Sequence, residues 1–374
     1  MKGKTTEFLY LSEPDIIKTG ALDMVRCVNV MEEVFAILSE GDYLMGGANH
    51  NSHGMGIVFP KETKFPNMPV AGPDRRFVAM PAYLGGRFDV CGVKWYGSNA
   101  ANPSKGLPRS VLTLLLNDKD TGEPLCFMSA NIISAMRTGA VPGVACRYLV
   151  NKDASTCSVI GCGPINQSCL SGIMTQLKNI KRLLCFDLFE DKAQAFADWV
   201  SKEYRVESCV VSSAEEAMRE SDVITVAASR LKPLHLDSAW LKKGSTVLLS
   251  GPANGDDTFW INSRIVYDHV PLHNTYVEEA VASGDKAGYY AGVIGGPIYT
   301  LIDAGKIKPL AESTSLGDIV NKTKAGRKTN DENIIFVACG MAVYDVAWGY
   351  DLYTKSLESN IGQKQMLWDE PHWK

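Results

Sequence analysis

The sequence predicts an α/β protein whose larger part is a doubly wound parallel sheet and whose N-terminal part is a smaller, β-rich region. Three observations predict it. From Ser155 onward, short apolar runs alternate with helical stretches, the pattern of βαβ units feeding a parallel sheet. A glycine turn, Gly161-Cys162-Gly163, lies between the first of those runs and a helix. Before residue 130 the apolar runs are short and separated by polar turns, as in an antiparallel meander.

The chain opens with a short strand over 8–11 and a cap-like Ser12-Glu13-Pro14-Asp15. A helix follows, with Val28, Met31, Val34, Phe35 and Leu38 on its apolar face, and it stops at Gly41. Residues 46–76 are rich in Gly, Pro, Asn and His, which predicts loops and short strands. Strands are expected over 77–83, 90–96, 111–116 and 125–128, with the polar turn 118–122 before the last. Ile132, Ile133, Met136, Val141, Val144, Ala145, Tyr148 and Leu149 are spaced as a helix. Pro142 within it predicts two helical pieces meeting near 137–142.

Beyond Ser155, strands at 156–160, 182–186, 206–210, 223–227, 246–249 and 265–267 are interleaved with helices at 167–176, 192–202 and 214–219. Such traffic requires right-handed crossovers. A strand over 334–338 and a long helix through Met341, Val343, Val346, Leu352 and Leu357 follow.

Composition narrows the function classes. Lys plus Arg number 38 and Asp plus Glu 42, a net charge of 38 − 42 = −4 over 374 residues. That balance argues against binding nucleic acid or a membrane surface through bulk charge. The apolar run 111–116 stops at Asn117, far short of the ~20 residues a spanning helix needs, and the N-terminus lacks a secretory pattern. The ten cysteines are scattered, several inside apparent buried strands, so reduced thiols and a cytoplasmic location are expected. No metal site is predicted: Cys162 and Cys169 lack zinc spacing, His50 and His53 have no third ligand nearby, and Pro271 separates His269 from His273. A GxSxG nucleophile run is absent.

The strand Ser158-Val159-Ile160 runs directly into Gly161-Cys162-Gly163-Pro164-Ile165-Asn166 and then a helix. Gly161 permits the turn, Gly163 lets backbone approach a pyrophosphate, and the helix N-terminus attracts its charge. Asp187 ends the next strand, where a carboxylate binds a ribose 2′-hydroxyl and repels a 2′-phosphate, favouring NAD over NADP. This is a Rossmann arrangement with Asn166 in place of the third small residue. Arg137, beside Thr138 and Gly139, is either a solvated helix arginine or one placed for a bidentate grip on a carboxylate or phosphate. Lys94 interrupts an apolar and aromatic strand, where a charge faces either solvent or a pocket.

Several segments together resemble the ornithine cyclodeaminase/mu-crystallin family of NAD(P)-dependent enzymes. They are Met80-Pro81-Ala82-Tyr83-Leu84-Gly85-Gly86, Gly92-Val93-Lys94-Trp95, Asn102-Pro103 with Gly106-Leu107-Pro108, Asp120-Thr121-Gly122-Glu123-Pro124, Arg137-Thr138-Gly139-Ala140, the turn at Gly161, and Gly340-Met341-Ala342 with Asp345. Their order matches over about 77–357.

The resemblance implies a Rossmann domain over 136–327 inserted in a second α+β domain, 1–135 plus 328–374, for substrate binding and dimerisation. It implies Lys94 and Arg137 as carboxylate ligands of the substrate and as catalytic residues, and Thr138, Gly161, Gly163, Pro164, Ile165, Asn166, Asp187 and Thr225 as contacts to NAD. The implied reaction exchanges hydride between a nicotinamide and the α-carbon of an amino or imino acid. In the cyclodeaminase version L-ornithine becomes L-proline and ammonia.

Two departures stand out. Matched without a gap, the Asp base of the cyclodeaminases falls here on Ala253; Asp256 or its neighbour Asp257 substitutes as the base if the loop is rebuilt, and otherwise both cap or flank the following segment. The family's upstream substrate arginine is missing from Asn49-His50-Asn51-Ser52-His53-Gly54, so His53, or else His50, is the expected substrate contact in that loop. The primary expectation is therefore a cyclodeaminase-like, homodimeric NAD enzyme acting on a small amino acid. The alternatives are an amino-acid dehydrogenase, a ketimine reductase, or a non-catalytic NAD(H)-binding accessory subunit.

Overall fold

The computed structural model describes residues 4–228 and 233–373. Contacts divide the chain into two compact units. Unit 1 comprises Met1–Asp23, Glu40–Arg137 and Met341–Lys374; unit 2 comprises Met24–Ser39 and Thr138–Gly340.

Unit 1 is built on an eight-stranded sheet. Its path runs Gln363–Trp368, Thr6–Leu11, Pro124–Ser129, Ser110–Asp118, Val90–Ser98, Arg76–Leu84 and Tyr43–Met45, with Met55–Val58 also paired to Arg76–Leu84. All pairs are antiparallel except Thr6–Leu11 with Pro124–Ser129. The turn between Ser110–Asp118 and Pro124–Ser129 is held by Asp118, whose carboxylate accepts from the Asp120 and Thr121 amides. Alternation gives the sheet one apolar face carrying Met80, Leu84, Val90, Leu114, Leu116 and Met128, all buried. The helix Ala342–Ser359 covers it, with Val346 against Gly92 and Leu114 against Gly349. The other face presents Phe77, Trp95, Val111 and Phe127, all exposed.

Unit 2 holds a second eight-stranded sheet, parallel throughout, in the order Glu207–Val210, Arg182–Phe186, Thr156–Ile160, Val223–Val226, Thr246–Leu249, Ile334–Val337, Arg264–Tyr267 and Thr314–Ser315. This is the doubly wound parallel sheet expected from the sequence. Chain order reverses between Thr156–Ile160 and Val223–Val226, so the crevice at their carboxyl ends is where such sheets bind ligands. The helix Met24–Glu40 and the strand Ile334–Val337 lie outside the 136–327 segment, yet the strand and all but the last residue of the helix pack within unit 2. Val28 of that helix sits close to Gly143.

One local expectation is corrected. Residues 131–149 form a single helix, Asn131–Leu149, with Pro142 inside it. Residues 139–146 are buried, and Gly139 lies so close to Ser168 of the neighbouring helix that no side chain would fit. Packing on all sides holds the helix across the one ladder bond that proline removes. Among the described residues no helix is long and apolar enough to cross a membrane.

Candidate functional site

In unit 1, Lys94 faces inward. It pairs across the sheet with Met80 and Leu114 on the helix-covered face, and it is only 2% exposed. Its Nζ donates to Asp345 Oδ2 at 2.8 Å, and Arg137 Nε donates to Asp345 Oδ1 at 3.2 Å. Arg137 is 7% exposed and Asp345 fully buried. Two cations therefore share one carboxylate, and the buried trio carries a net charge of +1. A buried surplus charge is costly unless an anion reaches it.

Burial is the main cause that lowers the Lys94 pKa to about 8, with Arg137 repulsion adding to it and Asp345 opposing. For Asp345, burial acts upward but is outweighed by Arg137 and Lys94, which hold its carboxyl below the usual range. A lysine titrating near neutrality beside a fixed arginine can grip a carboxylate and also move a proton.

The loop 46–54 approaches the same sheet face. Gly54 sits against Val78 and Met80, and Met80 is the cross-strand partner of Lys94. His53, half-buried, belongs to this loop.

In unit 2 the glycine turn follows the strand Thr156–Ile160. Gly161 adopts φ +91, and its amide donates to Phe186 O at 2.8 Å. A side chain there would meet Ala227 O and Ala228 Cα at 2.9 Å, so only glycine fits. Gly163 caps the helix Pro164–Gln176 with no side-chain bond, and Pro164 occupies its first turn. The amides of that turn thus lack the side-chain acceptor that a Ser or Asp cap supplies. Asp187 stands at the end of Arg182–Phe186, its Oδ2 accepting from the Cys162 amide at 2.8 Å and its Oδ1 from the Phe189 amide at 3.1 Å. Ile165 is exposed on the turn, and Thr138 is half-buried on the helix Asn131–Leu149.

Two predicted cofactor contacts are placed differently. Asn166 and Thr225 are fully buried. Asn166 Nδ2 donates to Ile160 O and Gly161 O, each at 2.8 Å, and its Oδ1 accepts from Thr225 Oγ1 at 2.8 Å. Their side chains are spent inside the protein, because the third turn position opens onto the neighbouring strand.

Asp256, the candidate substitute base, takes the other role the sequence allows and is a helix cap. It accepts from the Ser238 amide at 2.8 Å and the Phe259 amide at 3.2 Å, and from the Ser238 and Thr258 hydroxyls. Although burial acts upward, these donors hold its carboxyl below the ordinary range, the opposite of what a base needs near neutrality. Asp257 pairs with Lys306. Ala253 is buried on the short strand Ala253–Gly255.

Asp345 is the residue to which the sequence assigns no role. Its signal was an acidic residue inside the apolar face of the last long helix. Asp268 forms another buried node in unit 2: its Oδ2 accepts from the Cys339 amide at 2.7 Å, and its Oδ1 bonds His273 Nε2 at 2.9 Å. His273 Nδ1 in turn meets the Tyr299 hydroxyl at 2.6 Å. Among the described residues no three His, Cys, Asp or Glu side chains are grouped to hold a metal ion.

Comparison with known proteins gives consistent relatives. The chain is 27% identical over 360 residues to N-((2S)-2-amino-2-carboxyethyl)-L-glutamate dehydrogenase of Staphylococcus aureus, covering 95% of this chain and 97% of the relative. It is 31% identical over 298 residues to the alanine dehydrogenase of Archaeoglobus fulgidus, covering 76% and 82%. Among solved structures, Thermococcus litoralis Delta(1)-pyrroline-2-carboxylate reductase in complex with NADH and L-proline superposes with a TM-score of 0.77 at 27% identity, covering 95% and 99%. An archaeal alanine dehydrogenase dimer with bound NAD gives 0.77 at 25% identity, covering 97% and 100%. The ornithine cyclodeaminase/mu-crystallin family description matches residues 21–360, and the chain belongs to that family.

Proposed function

We propose that this protein is an NAD-dependent oxidoreductase that exchanges hydride at the α-carbon of an amino or imino acid, in the manner of a dehydrogenase or imine reductase. The buried Lys94–Asp345–Arg137 trio carries this reading, because its surplus positive charge and its lysine pKa of about 8 suit a substrate with both a carboxylate and an α-nitrogen. Unit 1 is assigned substrate binding and dimerisation, and unit 2 cofactor binding.

The glycine turn fits a dinucleotide, since the space at Gly161 admits no side chain and the following helix offers uncapped amides. Gly161, Gly163 and the amide of Ile165 would cradle the pyrophosphate, with Pro164 setting the helix start, and Asp187 would hold the ribose hydroxyls. NAD, when bound, supplies the two-electron acceptor for the α-hydrogen.

Arg137 and Lys94 bind and orient the substrate carboxylate. In the oxidative direction neutral Lys94 accepts a proton from the substrate ammonium; in the reductive direction its ammonium returns one. Asp345 is a positioning residue that keeps both cations aimed at one place. His53 is proposed to meet the substrate from the loop 46–54, and Thr138 to contact a cofactor phosphate.

Ornithine cyclisation is not favoured. Ala253 stands at the cyclodeaminase base position, Asp256 is committed as a cap, and the relatives above are dehydrogenases or reductases by name. The outward aromatic face of the unit 1 sheet is assigned to a homodimer interface. The ten free cysteines fit the reducing cytoplasm.

The test is a screen of the purified chain with NAD and L-amino acids, including alanine, proline and ornithine, following NADH absorbance and ammonia, together with cyclic imines plus NADH. Net NADH formation or consumption is expected. Ornithine giving proline and ammonia without net NADH would replace this reading by a cyclodeaminase. Silence in both directions, with NADH bound, would replace it by a binding protein.

A further inference from the structure

We infer that Asn166 and Thr225 form a staple that sets the cofactor affinity of the glycine turn without touching the cofactor. This rests on the reading of that turn as the NAD site. The donor and acceptor logic is closed. Ile160 O and Gly161 O can only accept, so the Asn166 amide must turn its NH2 group toward them, and its Oδ1 then faces Thr225 Oγ1, which must donate.

The staple does two things. It joins the end of Thr156–Ile160 to Val223–Val226, the two strands that flank the topological switch point, through a side chain on the helix Pro164–Gln176. It also occupies the Gly161 carbonyl oxygen at the residue whose positive φ makes the turn. Were the amide to rotate or withdraw, the Ile160 and Gly161 carbonyls would lose their shared donor and the turn would lose the bonds that fix its shape. Holding the turn in its binding shape beforehand lowers the ordering cost that binding must otherwise meet. A glycine or alanine at position 166 would bring the helix close but could not bridge the strands.

Thr225→Val keeps the shape of the strand residue and removes the hydroxyl donor, leaving Asn166 Oδ1 unpaired and its amide free to reorient. The expected result is a roughly ten-fold higher Kd for NADH by fluorescence titration, the size of one lost hydrogen bond with its partner left unsatisfied. KM for NAD should rise in step, and kcat at saturating NAD should stay within about two-fold. Thr225→Ser restores the donor and should restore the affinity. Thr225→Val with a lowered Tm but unchanged NADH affinity would reduce the pair to a stability feature and overturn the inference. If Thr225→Val does not fold, Asn166→Ser, too short to reach Thr225, is read by the same titration with the same criterion. Wild-type chain that fails to bind NADH at all would instead overturn the cofactor reading itself.

Discussion

Replacing Lys94 with Met keeps an unbranched side chain one atom shorter and removes the amine, whose pKa is lowered to about 8. Two losses combine. A charge-assisted bond to a substrate carboxylate is worth ~1.5–3 kcal/mol, and proton transfer by a positioned group contributes roughly 10²–10⁴-fold. The Lys94→Met variant should therefore lose at least about 10³-fold in kcat/KM while binding NADH within two-fold of wild type. The pH profile gives the sharper signature. With its pKa lowered to about 8, Lys94 is roughly one-tenth neutral at pH 7 and nine-tenths neutral at pH 9. Oxidative kcat/KM should climb through that range and reductive kcat/KM should fall, and neither inflection should survive in the variant. The stability sign follows from the same shift: between about 8 and 10.5 the unfolded chain binds more protons than the folded one, so wild-type stability rises with pH there. Steady-state kinetics of both proteins from pH 6 to 10 provide the assay. A variant with wild-type kcat/KM, or a wild-type profile flat between pH 7 and 9, would refute the assignment of Lys94.

Asp187→Arg should raise KM for NAD at least ten-fold and turn preference toward NADP, because an arginine there pairs with the 2′-phosphate; unchanged selectivity in initial-rate assays would remove Asp187 from the ribose site. Asp256→Ala should cost ~0.5–2 kcal/mol of stability in urea denaturation, the value of a helix cap, with kcat within two-fold. A hundred-fold fall in kcat would instead make it a base. Trp95→Glu places a charge on the outward sheet face beside Phe77, where the two rings stack at 5.6 Å. If that face is the homodimer interface, light scattering should give a dimer mass for wild type and a monomer mass for the variant, and an unchanged mass would move the interface elsewhere.

What was legible in the sequence was local. Alternating apolar runs beyond Ser155 revealed the parallel sheet, because buried strands and amphipathic helices write their periods directly into the chain. The turn at Gly161 and the acid at Asp187 were visible because backbone geometry demands glycine there and the next strand must end nearby. What stayed hidden depended on distant pairing. Lys94 and Arg137 meet at Asp345 across 251 and 208 residues of chain, so neither the shared carboxylate nor the inward turn of Lys94 could be read from a strand that happened to contain a lysine. Asn166 looked like a departure in a ligand turn until Thr225 gave its amide a partner on another strand. Asp256 was the reverse case. An acid just before Asp257, Thr258 and the apolar Phe259 is an ordinary cap pattern, and its bonds to Ser238 and Phe259 realise it. The proline at 142 suggested a break that packing on every side suppresses.

Hydride is proposed to pass between the α-carbon of an amino acid and NAD on this chain. Incubation of the protein with NAD and α-deuterated L-alanine, L-proline or L-ornithine, followed by mass spectrometry of the reduced nucleotide, tests it most directly. NADH one mass unit heavier is expected from at least one of these substrates, accumulating with the oxidised amino acid and lost in Lys94→Met. Reduced nucleotide that carries no deuterium, or a labelled substrate recovered unchanged from all three incubations, would contradict it.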